Sequence, residues 1–291
     1  MKKVSLFLGA ALIIFSSCAG GAKKSEGDAK AETENAEPAT PEYRVMDMPT
    51  NDLAGFPKDA DGWITIFDGK TLNNGWRGYA KDYVPGKWVV EDGAIKFNGS
   101  GGGEAQDGDG GDIIFASKLK NFELELEWKV AKGSNSGIFI LGQEIEAKAP
   151  DGEWRAEPIY ISAPECQVLD NANHPDAGFG KDGNRQSSSL YDMIPAKPQN
   201  SKPFGEWNKV KIVCYKGTIV HYQNNEPVVE YHLWTQQWKD LLDASKFSKD
   251  KWPLAYELLM NCGGANREGF IGLQDHGDDV WFKNIKVKIL D

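Results

Sequence analysis

Basic residues are the minority in this chain of 291: Lys and Arg total 33 against 43 Asp and Glu, a formal net charge of −10. With neither a basic stripe nor a basic helix, the composition argues against nucleic acid or an anionic membrane surface as partner. Cysteine and histidine are scarce, four of each. No CxxC or Cys/His ligand spacing occurs, which argues against a zinc site. Beyond Cys18 the cysteines are Cys166, Cys214 and Cys262, an odd number. One disulfide plus one thiol is compatible with an envelope compartment, but Cys166 and Cys214 lie in strand-like runs and read more easily as small buried apolar residues. An alternating strand-helix pattern is missing, and so is any internal repeat of fixed period, which points away from parallel α/β folds and solenoids.

The apolar stretch from Val4 to Phe15 is too short to span a bilayer comfortably. It follows Met1-Lys2-Lys3 and precedes Ser16-Ser17-Cys18, the pattern of a bacterial lipoprotein signal over residues 1–17. Cleavage before Cys18 would leave its thiol to take lipid and its amine a further acyl chain, and two or more chains make an anchor stable. Residues 18–42 contain no large apolar residue and read as a tether. The expected location is the cell envelope, at the outer membrane facing the periplasm, with the membrane touched only through the lipid anchor. Residues 43–291 suit one large all-β domain.

Strand signals dominate that domain. Phe122, Leu124, Leu126, Trp128 and Val130 alternate strictly with Glu123, Glu125, Glu127 and Lys129, giving one buried and one wet face. Further strand runs are 63–68, 136–141, 166–170, 207–217, 270–275 and 280–290, with hairpins about Asp92-Gly93 and Asn224-Asn225. Trp234, Trp238, Leu241 and Leu242 fall at i, i+4, i+7 and i+8 and predict one short inserted helix. Many strands, ten tryptophans and glycine-rich turns favour a jelly-roll sandwich of two antiparallel sheets.

Four polar clusters could carry chemistry. The glycine-rich stretch 98–112 interleaves Asp107, Asp109 and Asp112, but Lys118 stands where a calcium loop needs its Glu, so a surface loop is the simpler reading. Asn135-Ser136-Gly137 opens a strand, where a glycine lets a ligand or backbone approach closely; by itself it is a turn. Glu165, Gln167 and Asp170 lie on or beside one strand in a Glu-x-Gln-x-x-Asp string. Jelly-roll retaining glycosidases place two carboxylates and a helper in Glu-x-Asp-x-x-Glu, and the middle Gln and shorter Asp depart from the paired carboxylates that chemistry needs. Last, Gln274 and His276 share a strand face beside Asp275 and before Gly277, and a His at a strand end is an acid/base candidate near neutral pH. His174 and His221 are weaker candidates.

Together "GWITIFDGKTLNNGW", "NFELELEWKVAKGSNSGIFIL", "PECQVLDN", the stretch 207–241 and "GFIGLQDHGDDVWFKNIKVKIL" resemble the 3-keto-disaccharide hydrolase family in order and spacing over residues 61–291. The resemblance implies a concanavalin-like jelly roll acting on an oligosaccharide or glycoside already oxidised at C3. It implies glycosidic cleavage through C2 proton abstraction, elimination and rehydration, with a divalent metal ion as an aid. Carried over onto this chain, the catalytic residues are His276, Glu165 and Asp170. Gln167, Asn135, Gln274, Asp275, Arg185 and Tyr191 are the expected substrate-binding residues, and Glu165 and His276 the expected metal ligands. A carbohydrate-binding module without catalysis, or a glycosidase acting on unoxidised sugar, remain the alternatives.

Overall fold

The computed structural model describes residues 40–100 and 109–291. The leader, Cys18, nearly all of the tether and Asp107 lie outside the described residues. The strands in the first half are β1 (Tyr43–Val45), β2 (Trp63–Thr65), β3 (Trp76–Gly78), β4 (Trp88–Glu91), β5 (Ala94–Phe97), β6 (Ile113–Leu119) and β7 (Phe122–Val130). Then follow β8 (Asn135–Gly142), β9 (Ile145–Lys148), β10 (Trp154–Ala156), β11 (Glu165–Leu169), β12 (Asn208–Tyr215), β13 (Thr218–Gln223), β14 (Glu226–His232), β15 (Gly269–Leu273) and β16 (Val280–Ile289). Two antiparallel sheets make the sandwich: β14-β13-β12-β7-β16-β5-β4, with β2 also on β16, and β11-β8-β15-β6-β3. The jelly-roll expectation holds. Among the described residues two details differ from it: a small third sheet, β1-β9-β10, is present, and there are two α-helices rather than one.

The expected helix is α1 (Gln236–Ala244), whose Thr235 hydroxyl caps the Trp238 N–H. The additional one is α2 (Pro253–Met260), with proline in its first turn. Glu257 is its one charged residue, so no polar stripe marks its period.

The hairpin turns follow their residues. Asp92 and Gly93 take φ of 50° and 75°, Asn224 and Asn225 50° and 72°, the left-handed pair that a two-residue turn requires.

The two main sheets differ in what covers them. In β7 the burial alternates as the sequence does, and Glu123, Glu125 and Glu127 face Lys211, Lys209, Lys283 and Lys286 across the strands. Such solvated pairs contribute ~0–1 kcal/mol each and favour register more than stability. By contrast every residue of β8, β11 and β15 is buried. Their inner face, with Ile138, Ile140, Cys166, Val168 and Ile271, joins Leu124, Trp128 and Ile212 in the main core. Their outer face carries a second apolar cluster of Tyr79, Ile114, Phe139 and Phe270 with Ile159 and Ala163. A polar side chain inside this doubly covered sheet is therefore informative. Cys166, Cys214 and Cys262 are free and buried, as small apolar residues, and burial pushes the Cys214 thiol up to about 12.

His221, on β13, is 1% exposed. Its Nδ1 lies 3.0 Å from the Ser188 carbonyl and its Nε2 3.4 Å from the Tyr231 hydroxyl, contacts that suit a neutral ring. Burial lowers its pKa to about 4. A lowered folded-state pKa gives stability that is present above the unfolded value and lost as pH falls through the folded one. Between pH 6.5 and 4 the unfolding free energy is expected to drop by about 3 kcal/mol from this residue. Urea melts at both pH values, compared with His221→Gln, check it: the variant should lose that part of the slope.

Candidate active site

The polar outer face of the five-stranded sheet is built by register. Gln167 on β11 pairs with Gly137 on β8, whose carbonyl accepts the Gln274 N–H of the chain leaving β15 at 3.0 Å. Gln167, Gly137 and Gln274 thus form one row across three strands. Glu165 stands two residues along β11 and leans over Gly137: a Cβ there would meet its Oε1 at 2.5 Å. The glycine is the space the carboxylate occupies. Asn135 and Gln274 are each 4% exposed, and their side-chain oxygens have no hydrogen-bond partner among the described residues. Buried acceptors of this kind are costly unless a ligand satisfies them.

The free edge of β11 is closed by the irregular tract 171–206. Gln167 exchanges backbone bonds with Ser188 and Ser189 at 2.7 and 3.1 Å, and the Tyr191 N–H donates to the Glu165 carbonyl at 3.1 Å. This brings Tyr191 beside Glu165, with Arg185 against the Tyr191 ring. Arg185 donates from Nε to Asp192 at 2.7 Å and from a terminal nitrogen to Asp176 at 3.0 Å, and its guanidinium lies 5.3 Å from the Tyr191 ring centre. Burial, then the charges of Glu165 and Asp176, push the Tyr191 hydroxyl up, so it remains an O–H donor at any working pH.

At the other end of the row His276 faces His174 edge to face, ring centres 6.2 Å apart. The His174 Nδ1 accepts the Asp176 N–H at 3.1 Å, and burial, then the neighbouring His276, lower its pKa. His174 is therefore a neutral ring next to the strand-end His276.

Two expected residues serve the backbone instead. Asp170 accepts from the N–H groups of Gly133 and Ala172 and from the Asn173 amide, and its carbonyl accepts the His174 N–H. It positions the loop that carries His174. Asp275 is 0% exposed, and its oxygens accept the N–H groups of Gly111 and Gly277 at 2.7 and 2.8 Å. No surface of it is left for a sugar to reach. Burial raises its pKa against those two hydrogen bonds. Asp176 and Asp192 are site residues that the sequence reading missed; only the proline-led turn "NHPDAG" marks the first.

Among the described residues no grouping of three or more His, Cys, Asp or Glu could hold a metal ion. Glu165 and His276 are not joined by a third such ligand. The described side chains therefore do not fit a protein-held metal.

The 3-keto-alpha-glucoside-1,2-lyase-like domain matches residues 62–288, most of the chain. The chain belongs to this family. A 3-keto-disaccharide hydrolase of Bacteroides thetaiotaomicron is 67% identical over 293 residues, spanning the whole of both proteins. Two crystal structures from Parabacteroides distasonis, each described by class as a glycosyl hydrolase, are 26% identical. One has a TM-score of 0.62, covering 80% of this chain and 95% of that one. The other has a TM-score of 0.54, covering 78% and 99%. The family match takes in the Asn135-Ser136-Gly137 strand start, the Glu165 strand and the His276 strand end.

Proposed function

We propose that this chain hydrolyses the glycosidic bond of 3-keto-disaccharides by elimination and rehydration. The observation that carries the reading is the Glu165 carboxylate held over Gly137, beside a Tyr191 hydroxyl kept protonated and in line with two buried, unsatisfied amides. The 67% identical relative, a 3-keto-disaccharide hydrolase, supports the substrate class. A conventional retaining glycosidase needs two carboxylates about 5.5 Å apart flanking the sugar. Here Gln167 replaces one, Asp170 is occupied by N–H groups, and Asp176 is held by Arg185.

A C3 ketone acidifies the C2 hydrogen, which removes the demand for an oxocarbenium ion. His276 takes the C2 proton as general base and the electron pair moves onto the C3 oxygen. The Tyr191 hydroxyl, on a ring that packs beside the Arg185 guanidinium, donates to that oxygen. Collapse of the enolate expels the C1 oxygen, which Glu165 protonates. Water then adds its oxygen to C1 of the enone and a proton returns to C2, so one water is consumed and two sugars are released. Asn135, Gln167 and Gln274 hold the ring hydroxyls.

Purified protein incubated in D2O with a 3-keto-disaccharide and its unoxidised parent, with and without chelator, tests this. Cleavage is expected for the keto sugar alone, with deuterium at C2 of the 3-keto sugar released by rehydration and no effect of chelator. Cleavage of the unoxidised sugar would point to a conventional glycosidase; binding without turnover of either would point to a carbohydrate-binding module. Loss of activity with chelator would restore the metal expectation for Glu165 and His276.

A further inference from the structure

The Arg185 cluster has an electrostatic shortfall. One guanidinium is shared by two carboxylates, Asp176 at 3.0 Å and Asp192 at 2.7 Å, a sum of −1. Negative charge developing on a sugar oxygen in that field would be opposed, since like charges a few ångströms apart repel strongly at protein-like dielectric. A reaction through an enolate needs a cation there that Arg185 does not supply.

The segment after α1 brings one. The Ser245 hydroxyl closes on the Leu242 carbonyl at 2.9 Å and accepts the Phe247 N–H at 3.0 Å, making a tight turn anchored by buried Phe247. Lys246 sits between these anchors. Its N–H donates at 2.8 Å to the Asp192 oxygen that Arg185 does not use, which fixes the segment to the site. Its ammonium lies 4.4 Å from the Tyr191 ring centre, 5.3 Å from that of Tyr160 and 4.9 Å from that of Phe247. Aromatic faces hold a cation while stripping part of its water, and a lysine has three N–H donors to aim.

We propose that Lys246 is a further catalytic residue of this reaction: its ammonium takes up the negative charge that appears on the C3 oxygen when C2 loses its proton. The proposal rests on the elimination reading given above. Lys246 transfers no proton; the C2–H electron pair moves to oxygen, and the ammonium offsets the charge there until the C1–O bond breaks. Tyr191 and Lys246 then form a two-donor hole whose members are locked to each other.

Lys246→Met keeps the aliphatic stem against the rings and removes the charge. Steady-state cleavage of a 3-keto-disaccharide, exchange of the C2 hydrogen with D2O and thermal melts would be measured beside the wild-type protein. Loss of an oxyanion donor costs about 10²-fold to 10³-fold in kcat. The expected result is a kcat loss of that size, KM within a few fold, C2 exchange slowed in the same proportion and an unchanged melt. Wild-type kcat in the variant, or slower cleavage with unchanged C2 exchange, would overturn the role of Lys246. Should Lys246→Met melt well below the wild type, Lys246→Arg decides: kcat within tenfold of wild type supports the charge, and a loss equal to that of Met overturns it. A wild-type protein that leaves the keto sugar intact would instead overturn the underlying reading.

Discussion

Gly137→Ala is expected to lower kcat on a 3-keto-disaccharide about 10²-fold, the scale of an ångström's misplacement of a reacting group, while leaving the melting temperature nearly unchanged. The added Cβ would lie 2.5 Å from the Glu165 Oε1 and 3.0 Å from its Cδ. Gly137 does not have a positive φ, so alanine meets no backbone strain there. What must move is the far end of a flexible side chain. The fold can absorb that, but the carboxylate leaves its place in the Gln167-Gly137-Gln274 row. Glu165→Gln asks the complementary question, keeping the shape and removing the proton, and should lose about 10²-fold to 10⁴-fold in kcat. Agreement of the two, one by displacement and one by chemistry, would assign the acid role to Glu165. Full activity in Gly137→Ala would mean that the carboxylate's position over the sheet is incidental.

How far the fold and site could be read from sequence depended on what covers each element. β7 was legible because its sheet has one wet face, so Glu and Lys mark every second residue. β6, "IIFASKL", gave no such rhythm because six of its seven residues are buried, and with no wet face there is no alternation to see. α2 passed unread because Glu257 is its one charged residue and no polar stripe marks its period. Glu165 and Gln167 were legible as a shared face because the pleat alone places them together. The pleat also explains Asp275: strand neighbours point to opposite faces, so Gln274 joins the row while Asp275 turns into the backbone of Gly111 and Gly277. Arg185, Asp176 and Asp192 meet through an irregular tract, and Lys246 arrives from a helix end more than fifty residues further along the chain. Contacts of that kind follow from tertiary packing and have no local period to betray them.

The largest stability effect is expected at the far edge of the same sheet, at Arg77 on β3. Its two terminal nitrogens grip Glu144 at 2.5 and 2.7 Å, with the residues 6% and 1% exposed. The guanidinium also donates to the carbonyls of Pro49, Gly78 and Lys81, and Glu144 accepts the Ala80 N–H at 2.7 Å. Three segments distant in sequence are therefore joined through one buried ion pair, with every bond charge-assisted. Whether such a pair outweighs its own desolvation is a separate question from the cost of breaking it. Arg77→Leu would leave a carboxylate buried without its cation, costing about 3–5 kcal/mol. For a domain of this size that corresponds to a melting temperature lower by roughly 10 °C. The double variant Arg77→Leu with Glu144→Leu removes both charges, and its loss should fall well short of the sum of the single losses. Calorimetric melts of the three proteins test this; additive losses would show that the two residues act independently. Because the pair lies on β3 and after β8, away from the Gln167-Gly137-Gln274 row, kcat measured well below the melting temperature should stay near wild type in all three.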